Sequence, residues 1–140
     1  MRIRKEIEVA RPLEDVFDYV ADPRHELQWH PRGRSMEKTS DGPIGAGTTF
    51  LGDYKGSGTM DFSLVEYDRP RHLRFLGENG RVSIDASIDF RAVDGRTRGA
   101  FDLSMRPRGA FRLVLPLLAP MIRRQYEQVM PSLARALGGS

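Results

Sequence analysis

Two of the three histidines and the only tryptophan fall in one ten-residue stretch, DPRHELQWHP, from Asp22 to Pro31. Metal binding and acid–base catalysis are the chemistries such a cluster could serve. His25 and His30 are five positions apart, so on a helix their side chains diverge by about 140°, at 100° per residue. A zinc pair on a helix needs a spacing of three or four, and no third ligand stands with them, so no metal site is expected. The chain has no cysteine, which removes thiolate ligands, disulfides and cysteine nucleophiles. No Ser-His-Asp set is indicated, and paired inward carboxylates are absent. The groups left that could move a proton or hold a ligand oxygen are Glu66, Tyr54, Tyr67 and Tyr126. A phenol with a free pKa of about 10 suits an anchor better than a proton donor. Met60, Phe62 and Leu64 share a strand face with Glu66, and Tyr67 has the opposite parity, so a bulge near Leu64 would decide which of Glu66 and Tyr67 turns inward. No residue is assigned a catalytic role, no cofactor is called for, and the chain reads as a binder before an enzyme.

The glycine-rich segments do not change this. GAGTTF lacks the third glycine of a dinucleotide fingerprint and leads into a strand, and KGSG reads as a hairpin rather than a phosphate loop.

These residues must be positioned by the elements around them. RIRKEIEVA alternates, with Ile3, Ile7 and Val9 on one side and charges on the other, which predicts a half-buried strand whose apolar face is broken by Lys5. Pro12 marks the first position of a helix carrying Leu13, Val16, Phe17 and Val20 at helical spacing. Asp22-Pro23 starts a second short helix running to about Trp29, and Pro31 stops it. From about residue 33 to 106, turn signals at short intervals predict an antiparallel meander. In it Val82, Ile84, Ala86, Ile88 and Phe90 share one face, and Gly99, Phe101, Leu103 and Met105 share the face of the next strand. The cover for that apolar side is a C-terminal helix with Ile122, Tyr126, Val129, Leu133 and Leu137 on one face and Gly138-Gly139 as its stop. Pro116, Pro120 and Pro131 predict an irregular start and a bend in its last third.

At 140 residues the chain is the size of one domain. Its 22 basic and 19 acidic residues alternate rather than cluster, so nucleic-acid binding is not expected. MRIRKEIEV lacks the apolar core of a signal peptide, which makes the cytoplasm the expected compartment. FRLVLPLLAPMI, Phe111 to Ile122, is too short to span a bilayer, which takes roughly 20 residues. Flanked by arginines, it could instead touch an anionic membrane transiently, or be covered by a second copy of the chain in a homodimer.

Four motifs then occur in order: a strand ending before Pro12, EDVFDYVADPRHELQWHP, GPIGAGTTF, and a strand leading through LVEYDRPRHLRF. With them the chain resembles the START-like (SRPBCC) superfamily, of the polyketide cyclase/dehydrase and lipid-transport type, over essentially its whole length. Arg11 at a helix-cap position, Lys5 in an apolar strand face and Pro131 in the last helix depart from the family pattern. The resemblance implies an α+β helix-grip fold: a seven-stranded antiparallel curved sheet around a long C-terminal helix, with two short helices between strands 1 and 2. It also implies a cavity between sheet and helix that takes a lipid, a polyketide or another small hydrophobic molecule. The residues expected on its wall are Trp29, as a wedge at the mouth, with Phe50, Tyr54, Phe62, Tyr67, Phe75, Ile84, Ile88, Phe101 and Leu103 of the sheet and Met121 and Tyr126 of the C-terminal segment. Phenylalanines and methionines filling that space completely is the alternative. The functions implied are ligand transport or sequestration, a polyketide cyclase or dehydratase, and a non-catalytic interaction module of the stress or toxin–antitoxin kind. Fold alone does not choose among them.

Overall fold

A computed structural model describes residues 1–137. The elements in chain order are β1 (Arg2–Val9), α1 (Leu13–Ala21), a 3-10 turn (Pro23–His25) continuing into α2 (Glu26–Trp29), β2 (Gly33–Lys38), β3 (Thr49–Tyr54), β4 (Gly58–Asp68), β5 (His72–Glu78), β6 (Val82–Val93), β7 (Arg96–Pro107) and α3 (Phe111–Ala136). All seven strands form one antiparallel sheet in the order β1-β7-β6-β5-β4-β3-β2. This is the helix-grip architecture: β2 to β7 are a meander, β1 closes onto β7, and α1 and α2 carry the chain from one sheet edge to the other.

Pro12 stands just outside α1 rather than in its first turn, because its ψ of 148° is extended. Glu14 and Asp15 then place negative charge at the positive end of the helix. Asp22 caps the next turn as its sequence position suggests, accepting the Arg24 backbone N–H at 3.0 Å.

The alternation of β1, β6 and β7 puts Ile3, Ile7, Val9, Ile88, Phe90 and Met105 inside. The outer face carries ion pairs such as Arg74 with Asp85 at 2.7 Å. A bulge interrupts β4 between Leu64 and Glu66. The extra residue flips the parity beyond it, so Tyr67 points inward and packs edge-on against Phe17, ring centres 5.4 Å apart.

Two glycines let this sheet fold tightly over its own side chains. A Cβ on Gly77 would lie 2.7 Å from the Phe62 ring, and one on Gly52 would lie 2.8 Å from Met36 Cε. At Gly77 the Phe62 ring takes the place of a Cβ, whereas at Gly52 the flexible tip of Met36 would have to shift to admit one.

The three prolines do not break α3, which runs continuously through 26 residues. Pro116, Pro120 and Pro131 lie within about 60° of one another around the helix and are all exposed, so the carbonyls they leave without donors face water. The stop assigned to Gly138 and Gly139 lies outside the described residues. Among the described residues no helix is long and apolar enough to cross a membrane.

The core divides in two. A larger cluster around Val9, Val16, Phe17, Leu64, Leu73 and Leu133 closes one end, and a smaller one of Met60, Val82, Met105 and Leu115 lies apart from it.

Candidate functional site

A cavity of about 620 Å³ reaches both clusters, touching Met60, Val82 and Met105 of the smaller and Ile88, Val129 and Met130 of the larger. Inward-pointing Ile84, Ala86, Phe101 and Leu103 retain accessible surface because they face this space rather than packed neighbours. The complete filling offered by phenylalanines and methionines does not occur. The cavity reaches the surface between the β3–β4 hairpin (Lys55, Gly56 and Ser57), the β5–β6 turn (Asn79 and Arg81) and Arg32, so its rim is basic.

Of the twelve residues nominated from sequence, ten stand on this wall: Trp29, Tyr54, Phe62, Phe75, Ile84, Ile88, Phe101, Leu103, Met121 and Tyr126. Phe50 and Tyr67 do not. Phe50 is 1% exposed in the larger cluster, and Tyr67 packs on Phe17. Parity gives the face of a strand but not the depth along it, and both lie toward the closed end. Of Glu66 and Tyr67, the bulge turns Tyr67 inward and Glu66 outward, where Glu66 is exposed and accepts hydrogen bonds from Arg74 (2.9 Å) and His72 (2.8 Å).

The carboxyl that does enter the cavity is Glu26, which the sequence reading passed over. It accepts the Tyr54 hydroxyl at 3.0 and 3.2 Å. The signal was present: Glu26, Trp29 and His30 follow i, i+3, i+4 spacing and share one helical face. Enclosed by protein, with its remaining surface on the cavity, the Glu26 carboxyl is pushed up to about 7 by desolvation, against the opposing pull of the Tyr54 hydrogen bond. Burial also raises Tyr126, to about 12, and raises Tyr54, the charge on Glu26 adding to both.

His30 shares the site. Its ring packs edge-on against Tyr54 with centres 5.2 Å apart, and its Nδ1 accepts the Arg32 backbone N–H at 3.1 Å. Burial first, then the Arg32 charge, lowers its pKa to about 4. The ring is therefore neutral at physiological pH with its proton on Nε2. His25 belongs to a different environment: it stacks on Tyr19 at 4.4 Å and donates from Nδ1 to the Tyr19 carbonyl at 2.7 Å. Trp29 both lines the cavity and ties α2 to α3, its carbonyl accepting the Ser132 hydroxyl at 2.6 Å.

The family described as "Polyketide cyclase / dehydrase and lipid transport" matches residues 1–138. The chain belongs to that family. No curated protein matches it. Among solved structures, the ZhuI aromatase/cyclase from Streptomyces sp. R1128 is similar at a TM-score of 0.77 and 14% identity, over 99% of this chain and 93% of that one. A START superfamily protein from Mycobacterium smegmatis gives 0.73 and 17%, over 97% and 93%. DynU16, from the dynemicin biosynthetic locus, gives 0.70 and 18% over 98% of this chain, which spans only 47% of DynU16. At these identities the structural likeness speaks for the fold.

Glu26 and His30 respond to pH in opposite directions. The folded state holds the Glu26 proton more tightly than the unfolded chain, so the stabilisation, complete below pH 4.5, is lost as pH rises to about 7. It holds the His30 proton less tightly, so that contribution grows as pH rises from about 4 to 6.5. The two offset each other in the wild type. Glu26→Gln keeps an acceptor for Tyr54 and removes only the first. Urea unfolding is expected to show its stability gaining about 1–3 kcal/mol on the wild type between pH 4.5 and 7.5. A difference that does not change with pH would contradict the assignment.

Proposed function

We propose that the protein binds one small hydrophobic molecule between the sheet and α3, for transport or sequestration. The observation that carries this reading is the unfilled cavity of about 620 Å³. Protein interiors close-pack unless their framework prevents it. Here the framework leaves a space within the range of small-molecule sites, on the order of 300–1,000 Å³. Its wall combines aliphatic and aromatic surface with a few polar groups at Glu26, Tyr54, His30 and Tyr126, the usual division between affinity and orientation. Membership of a family whose description includes lipid transport supports the same reading.

A cyclase- or dehydratase-type activity is the second reading, and Glu26 is what favours it. A carboxyl with a pKa of about 7 can give or take a proton at neutral pH, and phenols beside it could hold a substrate oxygen. The aromatase/cyclase title of one structural neighbour is consistent with it. Under this reading an aromatic polyketide is turned over, and Glu26→Gln abolishes turnover while binding survives.

The same proposal includes transient contact with an anionic membrane through the first turns of α3. Leu113 and Leu117 on α3 are each 81% exposed and Met121 is 51% exposed. These three, four residues apart along the helix, form a stripe flanked by Arg108, Arg112 and Arg124. Sedimentation with phosphatidylserine vesicles is expected to pull down the wild type, and Leu113→Ser/Leu117→Ser is expected to release it. Dimerisation through the stripe without vesicle binding would point to a second copy instead.

Nile red, an uncharged dye that brightens in apolar surroundings, tests the main reading. It should bind the folded protein at one equivalent. Ala86→Trp, which fills the lumen from the middle of β6, should weaken binding at least tenfold, a loss of about 1.4 kcal/mol. Unchanged binding in this folded variant would place the dye elsewhere.

A further inference from the structure

Lys5 is the one charged residue on the inner face of β1, between Ile3 and Ile7 and opposite Phe101 of β7. It is half-buried and lines the cavity. A lysine on an apolar wall lays its stem along that surface and offers its ammonium to the space it borders. Yet among the described residues no carboxylate forms an ion pair with Lys5. The reason lies in strand parity and in competing arginines. Glu6 and Glu8 of β1 are on the outer face, where Arg96 takes Glu8 at 3.2 Å, and Asp102 of β7, which borders the cavity, is taken by Arg2 at 2.6 Å. Glu26, which faces the lumen, is bonded to Tyr54 of β3, and four strands separate β3 from β1.

We propose that Lys5 makes the cavity selective for apolar molecules that carry a carboxylate. This rests on the cavity-binding reading and names the class of ligand. A single ammonium matches a single negative charge, and a charge-assisted hydrogen bond supplies the pairing that no protein carboxylate gives it. Gln125 and Gln128 of α3 line the same cavity and carry amide donors for a carboxylate oxygen. The approach is suited to an anion as well, because Arg32, Lys55 and Arg81 stand at the rim. The rest of the molecule lies along Phe101, Leu103, Ile84 and Ile88, which form the apolar floor beside β1.

Displacement of Nile red by dodecanoate and by dodecan-1-ol separates the charge from the chain, since the two share an alkyl tail. The wild type is expected to prefer dodecanoate by about tenfold or more. Lys5→Met keeps an unbranched stem on an apolar strand face and should bring the two affinities to within about twofold by weakening dodecanoate, while Lys5→Arg should retain the preference. Equal affinities in the wild type, or a preference that survives in Lys5→Met, would overturn the role of Lys5 while leaving the cavity intact. Failure of Nile red to bind at all would overturn both.

Discussion

The sheet is wider than the helix that covers it. Seven strands at about 4.8 Å spacing curve around one α-helix whose diameter with side chains is about 10–12 Å. The curvature is supported where Gly77 and Gly52 admit Phe62 and Met36 across neighbouring strands. Side chains from β1, β4 and β5 meet α1 and the last turns of α3 at one end and close it, around Val9, Phe17, Leu64 and Leu133. Toward the other end Leu115 of α3 meets Met60, Val82 and Met105 of the sheet, and between these two clusters the lumen stays open. The cavity is thus a consequence of element dimensions rather than of any one residue.

Electrostatics inside that lumen follow from the same geometry. A group facing a small enclosed space loses most of its hydration without gaining the packing of a core residue. Desolvation therefore leads the shifts of Glu26, Tyr54, His30 and Tyr126, raising the acids and lowering the histidine. On the outer face the opposite regime holds. There Glu66, His72, Arg74, Asp85 and Asp89 form a chain of exposed ion pairs in which hydrogen bonds hold Glu66 and Asp85 below the usual carboxylate range. One sheet thus separates a wet charged face from an inner face where each charge is exceptional.

Much of the fold is legible in the sequence because period-2 alternation in RIRKEIEV and VSIDASIDF requires a covered side, and the spacing of Tyr126, Val129 and Leu133 supplies the cover. The site is legible only in part. Parity put Phe101, Leu103 and Ile84 on the inner face but could not tell a lumen residue from a packed one, hence the placement of Phe50 and Tyr67. At Glu66 the face itself depended on the bulge, whose position to within one residue is set by tertiary pairing rather than by local sequence. Glu26 was missed for another reason. On a single helical turn an acidic residue between a histidine and a leucine passes for solvated surface, and only its shared face with Trp29 and His30 shows otherwise.

Native mass spectrometry on detergent-free protein measures the central claim most directly, because it counts the molecules retained by each chain. After incubation with a panel of apolar compounds of up to about 25 non-hydrogen atoms, a size suited to a site of this volume, the account predicts a 1:1 complex with at least one of them, lost in Ala86→Trp. A chain that stays ligand-free across the panel, or that takes up several molecules per chain with no saturation at one, would contradict it.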